Sequence, residues 1–179
     1  MKQNENIYGN VYVDEERIKE SLKNDREKVQ FEKELKTVIR FSEHFNCEVF
    51  MLPPNEGGGV IYLDKNSNPD IIANRLFIEI KNPNGTESSI KRRFQDSVHQ
   101  ADGGLISIQN DTSINQARKW IEEKLGKMAN NHDGFMVIIE DNKHNYEVFE
   151  IEKGLLKSKS PLENRQLSPS ANSNIPQPK

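Results

Sequence analysis

A chain of 179 residues has room for one domain of ordinary size and a tail, but not for two full domains. Its 25 Lys and Arg against 28 Asp and Glu give a net charge of −3, which excludes a uniformly basic nucleic-acid coat protein but allows a local basic patch. The single cysteine, Cys47, excludes an internal disulfide framework and a multi-cysteine zinc site, and no apolar run approaches the ~18 residues of a membrane span.

The N-terminus has charge without a following apolar segment, so no secretory signal is expected and the expected location is cytoplasmic. Residues 1–25 carry a sparse apolar pattern (Ile7, Tyr8, Val11, Tyr12, Val13) and read as a partly ordered leader. From residue 26 to 45, Phe31, Leu35, Val38, Ile39, Ser42 and Phe45 recur at helical spacing, with Asn24 or Asp25 as N-cap. A strand over 47–52 is stopped by Pro53-Pro54. The loop carrying Gly57-Gly58-Gly59 leads to a strand over 60–63; it lacks the Gly-Lys-Ser/Thr ending of a P-loop. Residues 70–73 and 76–81 form strands joined by Asn74-Arg75. A second helix opens at Ser88 or Ser89 and runs to Ala101. Gly103-Gly104 then breaks the chain before a strand over 105–108. A third helix spans 113–128, and 135–140 with 146–151 close a hairpin. The tail has four of the eight prolines and no aromatic residue after Glu152, a composition that cannot offset its ordering entropy. The expected organisation is a leader over 1–25, an α/β domain over 26–152 with a central mixed sheet flanked by helices, and a disordered tail over 153–179.

The segment that carries chemistry runs from Asn68 to Lys81. A two-residue turn at Asn74-Arg75 sets Ala73 against Leu76 and therefore Asp70 opposite Glu79. Strand alternation places Ile71, Ala73, Leu76, Ile78 and Ile80 on one face, and Asp70, Ile72, Phe77, Glu79 and Lys81 on the other. Two carboxylates ~5 Å apart repel unless a cation lies between them, and hard oxygen ligands suit Mg2+ or Mn2+. Lys81 lies one strand step, ~7 Å, beyond Glu79 and would stabilise charge on a phosphate or orient a water. The alternative is a surface hairpin whose charged side faces water. On the first helix Glu34 falls inside the apolar arc, where a carboxylate needs a partner; a shared metal or Lys81 would provide one, and Glu27 is its rival.

Pro69-Asp70 followed by Glu79-Ile80-Lys81, with a helix on either side, resembles the PD-(D/E)xK nuclease superfamily. More narrowly, it is similar to the C-terminal tRNA-cleaving toxin domains of contact-dependent growth-inhibition proteins. The likeness implies a restriction-endonuclease-like αβββαβ core, with Asp70, Glu79 and Glu34 as ligands of Mg2+ (or Mn2+ or Zn2+) and Lys81 as the catalytic lysine. Gln100 matches a polar position that such domains carry beside the metal. It also implies RNA, tRNA in particular, as substrate, a cognate immunity protein as partner, and delivery into a target cell as part of a larger system. Where such domains often have Gly after Asn in the hairpin, this chain has Arg75. A DNA endonuclease of the same superfamily and an inactive nucleic-acid- or partner-binding module are the alternatives.

The second helix buries Ile90, Phe94, Val98 and Ala101, and Arg93 and Gln100 lie seven residues apart on one edge of that stripe. Lys91, Arg92 and Arg93 form a basic run suited to phosphate contact or, equally, a solvated helix face; His99 is a further substrate contact in the first case. His44, His99, His132 and His144 show no metal-ligand spacing, Trp120 belongs to the core face of the third helix, and Cys47 reads as a small buried residue.

Overall fold

The structure is a computed structural model that describes residues 4–53 and 69–159. The glycine loop and the strand expected over 60–63 lie outside the described residues, as does the tail beyond 159. In chain order the elements are β1 (Asn4–Tyr8), β2 (Val11–Asp14), α1 (Glu15–Ser21), α2 (Asp25–Phe45), β3 (Val49–Met51), β4 (Ile71–Ala73), β5 (Leu76–Lys81), α3 (Glu87–Val98), β6 (Gly103–Ser107), α4 (Ile114–Leu125), β7 (Met136–Glu140), β8 (Tyr146–Glu152) and β9 (Leu155–Lys159).

The strands form one mixed sheet in sequential order from β1 to β9. The pairs β2/β3, β5/β6 and β6/β7 are parallel and the others antiparallel. Helices fill the three parallel crossovers, as that connection requires. The α1–α2 pair covers one face, where Val38 and Phe41 pack on Val49, Met51, Ile71, Ile78 and Ile138. Helices α3 and α4 cover the other, where Ile90, Phe94, Ala117 and Ile121 pack on Ile106, Val137, Ile139 and Phe149. The α/β class is as expected, and the sheet is larger than the anticipated core.

Both ends of the expected domain move outward. Residues 4–21 are not a leader: β2 pairs with β3 and buries Val11 and Val13, while Tyr12 stacks on Phe50 at 5.0 Å on the other face. The apolar pattern is sparse because β1 is an edge strand that need not fill a core. At the other end β9 pairs with β8 through a turn at Lys153 and Gly154, both with positive φ, and buries Leu156. One leucine suffices to seat that strand, so composition concealed it.

Gly103 and Gly104 lie inside β6 instead of breaking the chain before it. A Cβ on Gly104 would sit 2.7 Å from Ser97 Oγ, so glycine is what lets α3 close onto the sheet. Helix α3 starts at Glu87 with Thr86 as its cap, and ends at Val98, short of Ala101. The chain must turn there because the Asp102 N–H donates to Phe77 O at 3.0 Å. Helix α2 begins at Asp25 with the Asn24 side chain accepting from the Glu27 N–H, as its sequence predicts. It is pinned to β7 by Arg40, whose Nε donates to the fully buried Glu140 at 2.7 Å. Among the described residues, no helix is long and apolar enough to cross a membrane.

Candidate metal centre

The β4–β5 hairpin has the expected register: Ala73 pairs with Leu76, Ile72 with Phe77 and Ile71 with Ile78. Asn74 and Arg75 both take positive φ, 48° and 64°, so the arginine holds the left-handed turn position that glycine would otherwise supply. All five residues of the expected apolar face are buried against α2. The ladder stops at Ile71. Asp70 bends away, its N–H donates to Ile78 O at 3.1 Å, and its Oδ2 accepts the Ile80 N–H at 2.7 Å. The carboxylate thus replaces a main-chain acceptor and is fixed at the hairpin's open end.

Glu79 is buried at 6% exposure. Its Oε1 accepts from Lys81 Nζ, which also donates to Gln100 Oε1 at 3.0 Å. The second oxygen, Oε2, is buried and has no hydrogen-bond donor. Burial and, next, the nearby Asp70 carboxylate push the Glu79 carboxyl up to about 8, against the pull of Lys81. Burial likewise raises Asp70, with Arg17 opposing. The structure therefore brings Asp70, Glu79, Lys81 and Gln100 to one point at the carboxyl end of β5, between α2 on one face and α3 on the other. Gln100 gets there from the turn after α3.

Glu34 comes close by a different route. Its side-chain partner is Arg17 rather than Lys81: Arg17 Nη2 pairs with Glu34 Oε2, and Gln30 Nε2 donates to Glu34 Oε1 at 2.6 Å. The same Nη2 lies 3.5 Å from Asp70 Oδ1, while Arg17 Nη1 donates to Leu52 O at 2.9 Å. Among the described residues no three His, Cys, Asp or Glu side chains stand close enough to share a metal ion, so the three-carboxylate set is not assembled as it stands. A cavity of about 160 Å³ opens beside this cluster between α1 and α2, lined in part by Arg17, Gln30, Phe31, Glu34 and Asp70; Glu27, the rival candidate, lies on its wall. Arg17 and Gln30 escaped the sequence reading. The one signal was that an inward Glu34 demands a positive partner, and nothing local singles out Arg17 from the charged run around it.

The basic run is divided. Lys91 is committed to Glu87 and, at 2.7 Å, to Glu123, tying α3 to α4. Arg93 lies 3.9 Å from Asp96, and Arg92 is exposed with no ion pair among the described residues. His99 caps α3 and meets His132 edge-on at 5.9 Å. Cys47 is buried and its thiol is pushed up to about 11 by desolvation, the opposite of a nucleophile's environment.

The fold and cluster define a mixed-sheet α/β domain with an acidic pair and a lysine at one strand end. Comparison with protein-family models, curated proteins and solved structures gives no match to this chain.

Proposed function

We propose that this domain is a metal-dependent nuclease of the PD-(D/E)xK kind that cleaves RNA, with tRNA as its substrate and growth inhibition, held in check by an immunity protein, as its role. The observation that carries the nuclease reading is the convergence of Asp70, Glu79 and Lys81, with Glu79 Oε2 buried and lacking a donor. The choice of tRNA and the toxin role rest on the resemblance carried by Pro69-Asp70 and Glu79-Ile80-Lys81.

The residues fit a divalent cation. A buried carboxyl with an orphaned oxygen beside the half-buried Asp70 carboxyl is costly without a shared proton or a cation, and an all-oxygen set favours Mg2+ or Mn2+ over Zn2+. Asp70 and Glu79 would hold it, and it would supply Lewis acidity for a phosphodiester and a water made acidic enough to attack. The chain provides the rest. The Ile80 N–H locks Asp70 in place, and Gln100 steers the Lys81 ammonium. Lys81 holds positive charge where the attacked phosphate becomes more negative. Arg92, on the exposed side of α3, is placed to contact a flanking phosphate.

The test is to incubate the protein with total tRNA, single-stranded DNA and duplex DNA in parallel, with Mg2+ or Mn2+ and with EDTA, and to sequence the ends of the recovered RNA. Cleavage of tRNA that EDTA abolishes is expected. Glu79→Ala and Lys81→Ala should each lose about 100-fold or more in rate with the circular-dichroism spectrum unchanged. Wild-type rates in both variants would overturn the assignment.

A further inference from the structure

We propose that Arg17 is a positioning residue of this site. Its guanidinium is the internal counter-cation of Asp70 and Glu34, and a divalent ion must displace it to gain both carboxylates. The proposal rests on the metal-dependent reading given above.

Three observations converge. First, a single nitrogen, Nη2, touches Glu34 Oε2 and stands 3.5 Å from Asp70 Oδ1, so one positive group bridges two acids from different elements. Second, Asp70 Oδ2 is already taken by the Ile80 N–H, which leaves Oδ1 as the oxygen available to a cation, and Arg17 faces that oxygen. Third, the guanidinium is not a loose surface group. Its side chain is 12% exposed, its Nη1 is anchored on Leu52 O, and the Leu52 N–H in turn donates to Asp70 O at 2.8 Å. Arg17, Leu52 and Asp70 thereby close a ring that joins α1 to the end of β3 and the start of the hairpin.

A guanidinium and a divalent cation cannot both take Asp70 Oδ1 and Glu34 Oε2 at ligand distance. With Arg17 in place, Nη2 occupies the position between Asp70 Oδ1 and Glu34 Oε2 that a shared ion would need. Once displaced from the two acids, the guanidinium can turn about its anchor on Leu52 O into the cavity it already lines. A purely structural role, fastening α1 to α2, predicts instead that loss of Arg17 weakens the fold and leaves ion binding no tighter.

The full chain as wild type, Arg17→Gln, Arg17→Lys and Glu79→Gln is titrated with Mn2+ by calorimetry, with melting temperatures read in parallel. Arg17→Gln is expected to bind Mn2+ about tenfold tighter or more than wild type, because a competing charge is gone. Its melting temperature should fall without the ion and be raised by saturating Mn2+ more than that of wild type. Arg17→Lys keeps the charge but not the fork and should fall between; if Arg17→Gln does not fold, a tighter Arg17→Lys supports the proposal and an unchanged or weaker one overturns it. Wild-type binding lost in Glu79→Gln, yet not tightened in Arg17→Gln, overturns the counter-cation role and leaves the metal site standing. No Mn2+ binding in wild type or Arg17→Gln, or binding that Glu79→Gln leaves untouched, removes the metal site and this role with it.

Discussion

Glu79 gives the site a measurable pH signature. Its carboxyl titrates near 4.5 in the unfolded chain and about 8 in the fold, so across that window the folded state keeps a proton that the unfolded state has lost. Stability from this group therefore falls as pH rises from 4.5 to about 8 and levels off above. Glu79→Gln removes the slope. In the absence of metal the variant should match wild type in acid and exceed it by a few kcal/mol at most above pH 8, as read by urea denaturation across pH. Glu140 works in the opposite sense. Burial would raise it, but hydrogen bonds from Arg40, Ser107 and Tyr146 win and hold it low, so its contribution is present at neutral pH and lost in acid. Two buried glutamates in one domain thus have opposite titration behaviour. Among the described residues, Glu140 is answered by a guanidinium and a phenol with no second acid beside them, whereas Glu79 shares one lysine with a neighbouring acid.

Among the elements, α3 decides whether Gln100 can reach Lys81. The helix approaches the sheet over Gly104, which pairs with Glu79 across β5 and β6. Gly104→Ala puts a methyl group against Ser97 and pushes α3 outward, at a cost of about 1–3 kcal/mol. Cleavage should fall in step with the displacement of Gln100, although Asp70, Glu79 and Lys81 are unchanged. Denaturation and rate measurements on the one variant check both. The hairpin itself was legible beforehand: two apolar runs around Asn74-Arg75 admit one register that buries Ile71, Ala73, Leu76, Ile78 and Ile80 together, and β4–β5 adopts it. Helix α2 was legible for the same reason, because its periodic face and its Asn24 cap are local facts. The glycines of β6 were misread because a Gly-Gly pair looks alike in a turn and under a closely packed helix.

For the molecule as a whole, residues 4–25 are part of the fold. They supply β2, the partner of the three-residue β3, and α1, which carries Arg17 to Asp70. A chain beginning at Arg26 loses Val11 and Val13 from the core and uncovers the edge of β3. It should fail to give a cooperative unfolding transition and should aggregate, where a dispensable leader would leave the melting temperature unchanged. Calorimetry distinguishes the two.

By itself the sequence determined what depends on neighbours along the chain: helix α2, the hairpin register, the alternation of helices and strands from α2 to β8, and the placing of Glu79 and Lys81 on one face of the hairpin. Only the tertiary structure decided which charge answers which. Arg17 meets Asp70 across 53 positions and Arg40 meets Glu140 across 100. Such pairings leave no periodic trace, since any lysine or arginine in the chain would serve until packing selects one. The same holds for β1, β2 and β9. An edge strand needs few buried side chains, and its place is set by the strand beside it rather than by its own composition.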